Sequence, residues 1–286
     1  MFRRDYAPEL LPAFAKKTEE AGFDELWVVE DLGFHGGFSQ CAAALAVTET
    51  LNVGLGIAPA VVRNAAFLAM EWATTARMFP GRFHMGLGHG VDSWIEQVGE
   101  TPTSWLASLE EVTVSAKRLL AGERVTIDGR HVHLNDVGLV HPVVGPPPPI
   151  SFGVRQAKSI ALAGRVADGV ILAECSGPAY VAETRAAIGP NSRLTVFMNA
   201  TPNVEAARAE VDTRIRQGRF ASQMKIYEGT DVDLHSEILI SGHPSTWLNQ
   251  VQRWIDAGAD SIVWVPLMTE SPAALDTFIE ALHSRK

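Results

Sequence analysis

Ala21-Gly22-Phe23-Asp24-Glu25-Leu26-Trp27-Val28-Val29 is the stretch whose reading decides the fold. A glycine closing a helical run supplies the left-handed residue that ends a helix, a tight turn follows, and the apolar run 25–29 reads as a strand. The pattern returns near the other end, where Ala257-Gly258-Ala259-Asp260 precedes 261–265. A looser copy, from Ala163-Gly164 to Asp168, precedes 169–173. Three copies spread over the whole length predict like modules closed into a (β/α)8 TIM barrel with insertions, one domain over 1–286. An open doubly wound sheet is the alternative architecture.

Outward from these copies, helix and strand patterns alternate. Ala65, Leu68, Ala69, Trp72, Ala73 and Ala76 follow helical spacing, as do Leu109, Val112, Ala116, Leu119 and Leu120, and Trp247, Leu248, Val251, Trp254 and Ile255. Between them lie strands expected at 25–29, 53–58, 82–88, 150–153, 169–173, 194–199 and 261–265. These are apolar on both faces, as buried parallel strands are. Two longer intervals hold a hairpin-like stretch at 125–134 and a short strand expected at 237–240. The count stops at seven, because the first helix, about 8–21, has no strand before it. The first strand is therefore expected to be missing from this chain, with Met1 downstream of the true start. The alternative is a barrel left open at that seam, which exposes unpaired backbone groups.

Of the 286 residues, 47% are apolar and 20% charged, which suits one large core. A net charge of -9 argues against a nucleic-acid partner, since phosphate binding needs a basic face. Two cysteines cannot build a disulfide framework, which fits a reducing cytoplasm. Met1-Phe2-Arg3-Arg4-Asp5-Tyr6 lacks the apolar centre of a signal peptide, and no apolar run approaches the roughly 20 residues of a membrane span. His131-Val132-His133 has the alternate spacing of a metal pair but no further ligand beside it, so no metal site is expected.

Three segments resemble the luciferase-like monooxygenase superfamily, which includes bacterial luciferase, flavin-dependent alkane and sulfonate monooxygenases, and deazaflavin-dependent dehydrogenases and reductases. They are 21–31, ending Glu30-Asp31; Gly81-Arg82-Phe83-His84-Met85-Gly86-Leu87-Gly88-His89-Gly90; and Ala161-Leu162-Ala163-Gly164-Arg165-Val166-Ala167-Asp168-Gly169. The second is the most specific. The resemblance implies an oxidoreductase holding coenzyme F420 or FMN at the C-terminal strand ends, with hydride transfer or monooxygenation of a small organic substrate. It also implies a homodimer, since similar proteins often pair. A rival reading is a cofactor-free barrel homologue with a structural or interaction role. A lyase or aldolase is disfavoured, because no strand end carries a lysine.

Site candidates follow strand by strand. Glu30 and Asp31 end one strand, where similar proteins often carry an acid and then histidine; they are expected to share proton chemistry. In deazaflavin members a bulge with a non-prolyl cis peptide buttresses the ring at about Leu55, Gly56, Ile57 and Ala58. Arg63 and Asn64 follow as substrate-facing candidates, Asn64 being equally fit to cap a helix. Gly88, His89 and Gly90 are expected to meet the ring through backbone amides. His89 is the leading catalytic side chain, because histidine exchanges protons near neutrality. No helix is expected directly after Gly90, which argues against a dinucleotide loop. Asp92 and Trp94 are candidates for the substrate wall. Gly153, Val154 and Arg155 are expected at the cofactor, with Arg155 placed for a phosphate at a helix start. Ser176 and Gly177 form a second such position.

Overall fold

The computed structural model describes residues 1–218 and 220–284. Its strands are β1 (Glu25–Val28), β2 (Asn52–Pro59), β3 (Phe83–Gly88), β4 (Val125–Asp128), β5 (His133–Val137), β6 (Ile150–Gly153), β7 (Gly169–Leu172), β8 (Arg193–Thr201), β9 (Ile240–Ser241) and β10 (Ser261–Val265). Its helices are α1 (Leu11–Glu20), α2 (Gly37–Ala46), α3 (Ala65–Met78), α4 (Asp92–Gln97), α5 (Trp105–Leu120), α6 (Ala157–Val166), α7 (Pro178–Ile188), α8 (Val204–Arg216), α9 (Ala221–Met224), α10 (Leu234–Ile238), α11 (Trp247–Asp256) and α12 (Ala274–His283). The main sheet runs β1-β2-β3-β6-β7-β8-β10, every pair parallel, with β9 added to the end of β8. This is the predicted barrel of alternating strands and helices, not the open sheet.

Strand alternation divides the apolar side chains between two cores. Leu26, Val28, Val53 and Leu55 face out and pack with the helices. Trp27, Ile171, Phe197, Val263 and Val265 face in and fill the barrel. Gly54 lies beside Trp27 in register, and a β-carbon there would sit 2.4 Å from the indole. That strand glycine therefore makes room for the largest side chain of the interior.

The repeated turn has a structural job. Gly22 and Gly258 adopt positive φ, as a helix-ending glycine should. In two copies the aspartate that follows clamps the start of an adjacent strand: Asp168 accepts from the Ile150 amide at 2.9 Å, Asp260 from the Leu194 amide at 2.7 Å. The third glycine departs from expectation. Gly164 lies inside α6 rather than at its end, beside the Ala187–Ile188 backbone at the end of α7, where a β-carbon would make only ordinary contacts of 3.6 and 3.7 Å.

Where the first strand was expected, Met1 and Phe2 stand between β10 and β1. The Phe2 amide donates to the Trp27 carbonyl at 3.0 Å, and the Met1 amine to the Trp264 carbonyl at 2.9 Å. Burial pushes that amine down to about 5. Two residues thus bridge the seam at its upper end. Below them a cavity of about 400 Å³ lies between β1 and β10, lined by Phe14, Phe23, Leu26, Leu248 and Trp264.

The hairpin is present as antiparallel β4 and β5. The strand expected at 237–240 is displaced: 234–238 is α10, and pairing starts at Ile240, opposite Ala200. A helix also opens soon after Gly90, contrary to expectation. It is the six-residue α4, too short to present the helix of a dinucleotide loop, and it stands on the rim of a sheet nearly closed into a barrel.

Candidate active site

A cavity of about 1500 Å³ opens over the C-terminal ends of the strands. Ile57, Ile171, Phe197 and Val265 line its floor. Ile57 stands where β2 shifts register between Leu55 and Ala58. The Gly56–Ile57 peptide is cis. Three glycines clear space for its side chain. A β-carbon on Gly153 would lie 2.4 Å from Ile57 Cγ2, and one on Gly88 2.9 Å from Ile57 Cδ1. One on Gly86 would lie 2.2 Å from the Leu55 carbonyl and 3.2 Å from Ile57 Cγ2. The glycine spacing that looked like access for a flat ring is, in the first place, a socket for Ile57.

Around the barrel rim there are eight places: seven strands and the Met1–Phe2 segment. β6 lies opposite that segment, four places away in either direction. The cavity accordingly has two ends.

At the β6 end, Gly153, Val154, Arg155 and Lys158 line the wall where α6 begins. Gln156 caps this helix without a side-chain hydrogen bond, leaving its first amides open. The Arg155 carbonyl accepts from the Tyr180 hydroxyl, which ties the turn to α7. His89 stands here, its Nε2 hydrogen-bonded with Ser159 Oγ at 3.1 Å and its ring edge-on to Trp105. Its Nδ1 is buried and has no hydrogen-bond partner among the described residues. Burial holds this imidazole below the ordinary histidine pKa, against the opposing pull of Asp92.

At the opposite end, ion pairs dominate. Glu30 accepts from both terminal nitrogens of Arg63, one at 2.8 Å, and from the Gly37 amide at 2.8 Å. Arg63 also reaches Glu71 at 3.0 Å. Arg4 pairs with Asp31 at 2.5 Å and lies over the Phe34 and Trp94 rings. Arg3, buried at 4% exposure, pairs with Asp5 at 2.7 Å and donates to the Met268 carbonyl at 2.9 Å. Arg214 pairs with Glu210 and stands 3.8 Å from Glu174.

The structure gathers Glu30, Asp31, Gly56, Ile57, Arg63, His89, Gly90, Asp92, Trp94, Gly153, Val154 and Arg155 around one cavity. Six expected residues lie elsewhere. Leu55 and Ala58 point outward, fully buried, Leu55 against α2. Gly88 sits behind Ile57. Asn64 caps α3 by accepting from the Ala66 amide at 2.9 Å. Ser176 is fully buried, and a β-carbon on Gly177 would meet the Tyr227 hydroxyl at 2.1 Å. The segment around α9 and α10 thus covers the start of α7, so the second phosphate position is closed. Glu30 and Asp31 are also not a coupled acid pair, since each is bound to a different arginine.

Sequence reading missed Arg3, Arg4, Arg214, Phe220 and Met268, all of which line the cavity. The adjacent arginines at 3 and 4 were the available signal, because they follow directly on the two residues that stand in for the first strand. Nothing local marks Arg214 or Phe220, which a long excursion from β8 delivers to the rim.

A family model described as luciferase-like monooxygenase matches residues 6–261. An F420-dependent glucose-6-phosphate dehydrogenase of Beutenbergia cavernae is 31% identical over 323 aligned positions, covering 98% of this chain and 94% of that protein. A 5,10-methylenetetrahydromethanopterin reductase of Methanolobus tindarius is 28% identical over 159 residues, 56% of this chain and 48% of that protein. Among solved structures, an F420-dependent secondary alcohol dehydrogenase in complex with an F420–acetone adduct superposes with a TM-score of 0.81 at 18% identity, covering 100% of this chain and 98% of the other. The oxygenating constituent of 3,6-diketocamphane monooxygenase from Pseudomonas putida, in complex with FMN, gives 0.76 at 15% identity, with coverage of 98% and 93%. These two likenesses show the shared barrel fold.

Proposed function

This chain belongs to the luciferase-like monooxygenase family and is an oxidoreductase of its F420- or flavin-dependent class, and on that premise we propose that its cofactor is F420. The observation that carries the reading is the Ile57 platform: a side chain turned into the barrel mouth, walled by glycines, under a cavity large enough for a tricyclic ring and a substrate. The relative matched over nearly its whole length is F420-dependent, which favours the deazaflavin over FMN.

The residues present fit the group. Ile57 and the Gly56–Ile57 backbone would support the ring from below. The backbone of 153–155, the open amides of α6, Arg155 and Lys158 would take its phosphate, by charge and by the helix dipole. When bound, F420 supplies a two-electron hydride carrier; the protein supplies orientation and proton management. His89, kept neutral by burial and oriented by the hydrogen bond between its Nε2 and Ser159 Oγ, is the side chain assigned to proton transfer. Glu30 and Asp31 act by holding Arg63 and Arg4 in place rather than by moving protons.

Titrating the purified protein with F420 and with FMN, read by absorbance and by thermal midpoint, tests this. F420 should bind more tightly and raise the midpoint, as any ligand of the native state alone must. Tighter binding of FMN, or binding of neither, overturns the assignment.

The protein is further read as a homodimer working in the cytoplasm. α3 exposes Phe67, Met70 and Met78, an apolar surface suited to a second copy, and both cysteines are buried and unpaired. No described helix is long and apolar enough to cross a membrane. Light scattering after gel filtration should give twice the chain mass.

A further inference from the structure

The two ends of the cavity use charge differently. Lys158, at the start of α6, takes part in no ion pair among the described residues and leaves positive charge on offer. On the far side the arginines are already engaged. Arg3 is bound by Asp5 and the Met268 carbonyl through Nε and Nη2, its Nη1 being buried and without a partner among the described residues. Arg4 is bound by Asp31, and Arg214 by Glu210 with Glu174 nearby. Between these pairs the wall is apolar, with Leu32, Phe220 and Met268 facing the same space.

We propose that this far end takes an uncharged, oxygen-bearing organic substrate, an alcohol or carbonyl compound with an apolar body, and rejects phosphorylated or carboxylated ones. The inference rests on reading the β6 side as the cofactor's end. An anion arriving at Arg4 would have to draw the guanidinium away from Asp31, a contact of 2.5 Å, and then sit beside the released carboxylate. Both side chains are about three-quarters shielded, so the repulsion is poorly screened. Arg214 presents the same obstacle twice over, with two carboxylates around one cation. A hydroxyl or carbonyl makes no such demand. It can share the outer hydrogen-bonding positions of an intact pair while its carbon skeleton covers the apolar wall.

The test uses F420-saturated protein, so that the α6 end is filled before any probe is added. Loading is checked by absorbance, and its failure would count against the cofactor reading alone. Thermal midpoint and tryptophan fluorescence are then followed with cyclohexanol, glucose 6-phosphate and inorganic phosphate. The wild-type protein should respond saturably to cyclohexanol and to neither anion. Asp31→Asn, which frees Arg4, should gain affinity for glucose 6-phosphate by about tenfold or more, the worth of one charge-assisted hydrogen bond. Glu174→Gln provides the same measurement at Arg214 should the first variant fold poorly. Saturable binding of glucose 6-phosphate to the wild-type protein overturns the proposal, as does absence of any anion gain in both variants.

Discussion

Replacing Gly153 with alanine puts a methyl group 2.4 Å from Ile57 Cγ2. Ordinary carbon contacts lie near 3.5–4 Å, so Ile57 must withdraw by about 1 Å. Gly88 and Gly86 close the socket on the β3 side, and Ile57 lines the cavity, so it can withdraw into that space. Overpacking of this size costs about 1–3 kcal/mol. If the socket resists, the cost appears as stability, at about 2–4 °C of midpoint per kcal/mol for a chain of this size class. If Ile57 yields, it rises into the space assigned to the ring, and cofactor binding weakens by about 5- to 100-fold. Titration of F420 and a thermal melt together measure both parts. Ile57→Ala removes the clashing methyl along with the platform, so the Gly153→Ala step should cost less binding and less stability in the Ile57→Ala background than in the wild type, giving a coupling that distant sites do not show. A Gly153→Ala protein that melts and binds like the wild type would refute the socket. So would a loss that Ile57→Ala leaves unchanged.

Two further predictions concern pH. Burial holds His89 below its ordinary pKa, so protonation is unfavourable in the folded state. Its penalty is absent above about pH 6.5 and grows as pH falls below that value. His89→Gln should therefore flatten the decline of the thermal midpoint between about pH 7 and 5, in part only, because His84 is shifted the same way; an unchanged slope contradicts the burial argument. Glu19 is pushed up by what burial it has, but amide donors from Thr50, Leu51 and Glu49 overcome this and hold it at about 2. A carboxylate lowered in the folded state stabilises above its ordinary pKa of 4.5 and loses that contribution as pH falls towards 2. Glu19→Gln should accordingly lose stability at pH 7 while differing little from wild type near pH 2, as chemical denaturation at the two pH values would show.

Much of the fold was legible because its signals are local. Gly22 and Gly258 take the left-handed conformation that a helix end requires, and the runs around Leu26, Val53, Val170 and Val196 are apolar on both faces because both faces are covered. Gly164 misled because a glycine can also sit inside a helix, and the two placements look alike in sequence. At the site, His89, Ile57 and Arg63 were reachable from strand ends. The partners that decide their chemistry were not, since Ser159 is 70 residues from His89 and Glu30 is 33 from Arg63.

The seam between β10 and β1 shows the boundary most clearly. Counting strands was enough to reveal the gap, but not that Met1 and Phe2 bridge its upper end through the Trp264 and Trp27 carbonyls. By itself the sequence determined the class of fold and the order of its strands and helices, because hydrophobic period and turn chemistry act over a few residues, while the rim as the cofactor's face was what the family resemblance implied. Only the tertiary structure decided that the glycines serve Ile57, that Tyr227 closes the start of α7, and that the arginines opposite β6 are engaged. Those facts depend on which side chains from distant segments come to share a few ångströms, and no local pattern encodes that.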